Sequence, residues 1–149
     1  MTAAALVLAQ LYLSAAALMG LVIVHQIIIT RGRWEPLNRR FLFGLRVTML
    51  LFVGRLLISL TGIDAFRMLV LLAAALIPLA VLLLTEGLLR RHAPSAFKVV
   101  ILSGTIVFGV SALWYGDGPD PLRLWSLLAF QVLGSVSYTH LTLPTTSRV

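Results

Sequence analysis

Hydrophobic positions are gathered into long apolar blocks that short polar segments separate. A helix needs about 20 mostly apolar residues to cross about 30 Å of hydrocarbon. Four blocks meet this requirement, at residues 3–30, 41–60, 66–84 and 99–115, and a fifth starts at 122–135. The pattern predicts an all-α fold, namely a polytopic integral membrane helix bundle with four full spans and a truncated fifth.

Residues at the block edges predict where the helices begin and end. Asn38, Asp64 and Ser95 are of the types that cap helix N-termini, and Thr61-Gly62 is typical of a helix stop. Pro78 lies near the middle of the third block, where it predicts a helix kink.

Composition supports a membrane location. The chain of 149 residues is 60% hydrophobic and 11% charged, whereas ordinary globular chains are about 45–50% apolar and about 25% charged. So few charges cannot cover a water-facing surface, which excludes a soluble domain. The absence of cysteine excludes a disulfide framework, a thiolate metal site and cysteine catalysis.

Twelve Lys and Arg against five Asp and Glu give a net charge of +7. Because the basic residues lie between apolar blocks, we expect the bilayer and its anionic headgroups as partners, and no nucleic acid. Short loops rich in Lys and Arg stay in the cytoplasm. The loops after spans one and three are therefore predicted inside and the N-terminus outside, as in a multi-pass protein of the bacterial cytoplasmic (inner) membrane. The topology determinants are Arg31, Arg33, Arg39 and Arg40 in the first inner loop, and Arg90, Arg91 and Lys98 in the second.

The two outer loops carry acidic residues. Asp64 follows span two, and Asp117 and Asp120 follow span four. Trp34, Trp114, Tyr115 and Trp125 all fall at predicted boundaries, as an aromatic belt would place them. All four loops thus agree with one alternation across the membrane.

Two arginines lie inside the second span. An ionisable group in a membrane helix is a functional hypothesis, but Arg46 and Arg55 are each close enough to an end of the span to reach the headgroups. We favour this interpretation for Arg46. For Arg55 we weigh it equally against a second interpretation. In that one the side chain points into the bundle and contacts an anionic ligand, Asp64 or Asp117.

A second set of ligand candidates comes from polar residues in the outer halves of spans one and five. They either line a small-ligand pocket or serve as interhelical hydrogen-bond partners. These residues are Gln10, Tyr12, Ser14 and Gln131. Ala16 and Gly20 form a small-residue pair that favours close helix packing, and a homodimer is one outcome of such packing.

Metal and catalytic signatures are missing. His25-Gln26 suggests a proton relay or a metal site, but no second ligand stands at a suitable spacing, so interfacial hydrogen bonding is the preferred interpretation. The chain has no GxSxG, HExxH or Walker-type motif. We expect no cofactor and no metal, and no catalysis within this fragment, although a further domain could be enzymatic.

The last fourteen residues, 136–149, are polar and Thr-rich and lack helical periodicity. They resemble a translated transposase-type sequencing adapter, since GTC TCT TAT ACA CAT CTG ACG CTG CCG ACG encodes Val136 to Thr145. The resemblance implies that this tail is not native, that the native chain is cut near Ser135, and that Tyr138 and His140 have no chemical role.

Residues 1–135 resemble the multi-helix N-terminal membrane regions of bacterial signalling proteins. The shared features are the N-terminus outside, the Arg-rich first inner loop and the RRHAPSAFK segment of the second inner loop. This resemblance implies a sensory or anchoring region ahead of an output domain. The alternative is a fragment of a multi-pass transporter or channel subunit, for which Pro78, Thr105 and Gly104 with Gly109 are the available features. A third possibility is a lipid-active membrane enzyme using Glu35, Glu86 and His92.

Overall fold

The computed structural model of the protein describes residues 3–32, 35–90, 93–113 and 121–142; of residues 3, 121–124, 135 and 137–142 it describes the helical backbone alone. The helices are α1 (Ala3–Arg31), α2 (Pro36–Thr61), α3 (Arg67–Leu89), α4 (Ser95–Leu113) and α5 (Pro121–Thr142), and one turn of 3-10 helix, Asp64–Phe66, leads into α3. No strand occurs in these ranges. The predicted all-α class is confirmed.

Helices α1 to α4 are each long and apolar enough to cross a membrane. Helix α5 contains a shorter apolar stretch, Trp125–Gly134. The bundle therefore has four full spans and a shorter fifth helix, as the hydropathy pattern predicts. Helix α5 continues to Thr142, beyond the predicted end at residue 135.

The stop predicted after α2 is confirmed. Gly62 has a left-handed backbone with φ of 66°, and its N–H donates to the carbonyl of Ile58 at 2.9 Å. The start of α2 differs from the prediction, because the helix begins at Pro36 after Glu35 rather than at Asn38. Proline fits the first helical turn since that turn needs no N–H donor.

Two other predicted caps are wrong. Asp64 opens the 3-10 turn, and its carboxylate lies 3.0 Å from Nε of Arg67 without a capping hydrogen bond at the start of α3. Ser95 is the first residue of α4 itself. The carbonyl of Pro94 accepts hydrogen bonds from the N–H groups of residues 97 and 98, so Pro94 occupies the N-cap position.

Helix α3 forms the centre of the bundle. It packs against α2, α4 and α5, whereas α1 packs against α2 alone among the described helices. Ala73 and Ala75 of α3 are fully buried, and such small side chains allow neighbouring helices to approach closely. Phe130 of α5 packs with Leu82 of α3 and Ile101 of α4 in the larger buried cluster. Large apolar side chains remain exposed around the bundle, which suits a lipid-facing surface.

Helices α3 and α5 run in the same direction. The Gln131 side-chain amide donates to the carbonyl of Ala74 at 3.2 Å. A Cβ added at Gly134 would lie 2.7 Å from Cβ of Pro78. Because the residue numbers rise together along both helices, the C-terminal part of α5 points to the end of the bundle where α3 ends.

Candidate functional site

The start of α2, the end of α3 and the start of α4 meet at one end of the bundle, which we call the basic end. The guanidinium Nη1 of Arg40 donates to the carbonyl of Leu83 at 3.3 Å. Gly87 lies directly against α2, since a Cβ there would come within 3.0 Å of Leu37 Cδ1 and 3.1 Å of Arg40 Cδ. The basic end therefore joins residues from both predicted inner loops.

A buried carboxylate ties α3 to the start of α4. Glu86 Oε1 lies 2.7 Å from Nζ of Lys98 and accepts the backbone N–H of Ala93 at 2.7 Å. The Glu86 side chain is 6% exposed. A buried charge is tolerated when it is paired and hydrogen-bonded. Glu86 and Lys98 therefore form a structural link between two helices.

Sequence analysis ended the third span at residue 84, just before Glu86, and missed this burial. Helix α3 extends to Leu89, which places Glu86 on the helix instead of in a loop. The signal was the continuation of the apolar pattern past residue 84 to Leu88 and Leu89. A carboxylate that interrupts such a pattern needs a buried partner.

An open cleft of about 450 Å³ lies at the basic end between α2 and α3. Glu35, Arg40, Glu86 and Arg90 contribute its charged groups. Arg90 has a left-handed backbone with φ of 49°, which few residues other than glycine adopt. The cleft thus brings together one arginine from each predicted inner loop.

The other topology determinants lie around this end. Arg31 and Arg39 are exposed, Arg40 and Lys98 are half-buried, and Arg90 is exposed. Several residues named from the sequence lie outside the described residues: Arg33, Trp34, Arg91, His92, Trp114, Tyr115, Asp117 and Asp120.

The opposite end carries a solvated ion pair. Asp64 and Arg67 are three residues apart, and their side chains are 75% and 41% exposed. Exposed pairs of this kind contribute about 0–1 kcal/mol. The two ends therefore differ. Within the described ranges, the basic end has a buried carboxylate that links two helices, and the opposite end has an exposed ion pair.

The structure does not bring the outer ligand candidates together. Gln10 and Tyr12 are exposed on α1, whereas Gln131 is half-buried and bonded to α3. Ser14 is buried on α1. Since the described parts of α1 and α5 share no contact, these residues line no common pocket there, and Gln131 acts as an interhelical hydrogen-bond donor.

Both arginines of α2 are exposed. Arg46 Nε donates to Nε2 of His25 at 3.4 Å, a long bond between α1 and α2 that sequence reasoning missed because it treated the two residues separately. Arg55 points to the bundle surface, and its carbonyl accepts a bond from the Ser59 hydroxyl.

Pro78 is buried within an uninterrupted α3, and its ring contacts the backbone position of Gly134. The kink predicted at Pro78 remains a prediction. In the described ranges, no group of three His, Cys, Asp or Glu side chains is placed to hold a metal ion.

No protein-family model matches the chain, and neither the curated proteins nor the solved structures contain a match.

Proposed function

We propose that the chain is the membrane-embedded sensory or anchoring region of a bacterial signalling protein, located in the cytoplasmic membrane with its N-terminus outside. The observation that supports this best is the parallel course of α3 and α5, given by the Gln131 to Ala74 bond and the Gly134 to Pro78 contact. It leads the chain toward the basic end. The positive-inside rule assigns that end to the cytoplasm, where an output domain would act.

Contacts between the helices offer a route for a signal. Arg40 links α2 to α3, Glu86 links α3 to α4 through Lys98, and Pro78 of α3 packs against α5. A ligand or a membrane state that favours one packing of α3 would shift the population of α5 positions. The shift would then pass to the domain that follows.

The proposal includes the bilayer and its anionic headgroups as partners. Most of α1 is exposed, and Ala16 and Gly20 lie on its free surface, where a second copy of the chain could pack.

A transporter or channel subunit is the second candidate. One observation favours it: the hydroxyl of Thr105 is buried in α4 and has no hydrogen-bond partner among the described residues. A transport path requires polar groups from two or more spans near the membrane midplane. Thr105 would supply one of these polar groups.

The test is to sequence the source DNA through and beyond codon 135, from unamplified genomic material. We expect an open frame that completes five or seven spans, counted from α1 and with α5 as the fifth, and then enters a soluble catalytic or DNA-binding domain. A frame that contains only further spans with intramembrane carboxylates would support transport instead. A genomic VSYTHLTLPTTSRV followed by a stop codon would contradict the proposal.

A further inference from the structure

An apolar groove follows the surface where α2 and α3 meet. Its volume is about 230 Å³. Gly44 and Ala80 form its floor, since a Cβ added at Gly44 would lie 3.9 Å from the Cβ of Ala80. Larger side chains form the walls, namely Phe41, Leu45 and Thr48 from α2 and Ile77, Val81 and Leu84 from α3.

The groove and the charged cleft lie on one continuous face. Residues three or four positions apart share a face of a helix. Both cavities lie along the contact between α2 and α3, where Gly44 meets Ala80 in the groove and Gly87 meets Leu37 and Arg40 at the basic end. The shared stripe consists of Leu37, Arg40, Gly44 and Thr48 on α2, and of Ile77, Ala80, Leu84 and Gly87 on α3.

The charges of the cleft favour an anion. Glu86 is paired with Lys98, and the other charged groups that line the cleft are two arginines, Arg40 and Arg90, and one carboxylate, Glu35. One N–H of Arg40 bonds to Leu83, and a guanidinium has five N–H donors in a fork that matches phosphate oxygens.

The end of α3 places Arg90 at the cleft. Arg90 is the C-cap of α3, and its left-handed backbone, with φ of 49°, ends the helix there. Its side chain thereby lines the cleft beside Gly87.

From this geometry we propose that the α2–α3 face binds one anionic membrane phospholipid. Its phosphodiester contacts Arg40 and Arg90, and one acyl chain lies in the groove over Gly44. A free phosphate would use the arginines alone, whereas the apolar groove inside the spans offers contacts only to a hydrocarbon chain. The inference is independent of the signalling proposal, because an anchoring or transporting protein would bind the lipid equally well.

The experiment measures bound lipid on the purified full chain in a mild detergent. Phosphatidylglycerol is titrated, and native mass spectrometry counts the lipids per chain. We expect a saturable complex with one lipid. The double variant R40Q/R90Q should weaken binding at least tenfold, and Gly44→Leu, which fills the groove without changing a charge, should do the same.

Arg39→Gln is the matched control, since Arg39 is an exposed arginine next to Arg40 on α2 that does not line the cleft. It should leave lipid binding within twofold of the wild type. Helix content by circular dichroism and elution in size-exclusion chromatography establish that each variant is folded.

Two results would overturn the proposal. The first is equal lipid binding by the wild type, R40Q/R90Q and Gly44→Leu, which would place the lipid elsewhere. The second is competition by inorganic phosphate or glycerol 3-phosphate at similar concentration together with no effect of Gly44→Leu. That result would describe a soluble phosphate site rather than a lipid site.

Discussion

Lys98 Nζ lies 2.7 Å from Glu86 Oε1, but the two side chains differ in exposure, at 40% for Lys98 and 6% for Glu86. The ammonium can reach water or headgroups when its partner is lost. The carboxylate cannot, because it lies between α3 and α4. The two halves of this ion pair should therefore respond differently to mutation.

We expect Lys98→Met to destabilise the protein more than Glu86→Gln. The first change leaves a buried carboxylate without its counter-charge and should lower the free energy of unfolding by about 2–4 kcal/mol. The second retains an oxygen for the Ala93 N–H and should cost about 1–2 kcal/mol. Equilibrium unfolding in mixed detergent micelles measures both.

Asp64→Asn is the control for this comparison, because it breaks the exposed Asp64 to Arg67 pair. Its effect should stay below about 1 kcal/mol. Equal losses for Lys98→Met and Asp64→Asn would show that Glu86 is not buried as described.

A second prediction concerns the contact between α4 and α5. A Cβ added at Gly104 would overlap Cε2 of Phe130, and that ring also stacks on Phe108 with centroids 5.2 Å apart. Gly104→Ala should lower the free energy of unfolding by about 1–3 kcal/mol through overpacking. The same unfolding assay measures the loss.

Gly20→Ala is the matched control, because nothing lies within 4 Å of a Cβ at that position of α1. It should be neutral or should stabilise by up to about 1 kcal/mol through helix propensity. Phe130→Leu should recover part of the Gly104→Ala loss. Additive losses in that double variant would argue against the contact.

The end of α2 supplies a third prediction. Gly62 has φ of 66°, which penalises a side chain by about 1–2 kcal/mol. Gly62→Ala should destabilise the protein by that amount, and Gly62→Asn should cost less because asparagine tolerates the left-handed region. Thermal unfolding of the three proteins measures the order. Identical stability of all three would contradict the turn geometry.

The spans could be predicted from the sequence because hydrocarbon thickness fixes the length of an apolar helix. The stop at Gly62 could be predicted because glycine readily adopts the left-handed backbone that ends a helix. The structure confirms the spans and this stop. The packing partners could not be predicted. Uniformly apolar helices have weak periodicity, so nothing in the sequence placed α3 at the centre or kept α1 from α5.

The candidate site was only partly predictable for a related reason. Arg40 and Arg90 were recognised as loop charges, but their shared cleft depends on how α2 packs against α3. The burial of Glu86 was not predicted, because it depends on Lys98, twelve residues later on another helix.

The orientation of the bundle is tested most directly by paired reporters, one active only in the cytoplasm and one only outside, fused at five positions. We predict cytoplasmic signals after Arg33, Arg91 and Thr142, and exterior signals after Asp64 and Gly118. The fusion after Thr142 tests whether α5 runs parallel to α3. An exterior signal after Arg33 or Arg91, or signals from Arg91 and Thr142 on opposite sides, would contradict the orientation and the proposed route to an output domain.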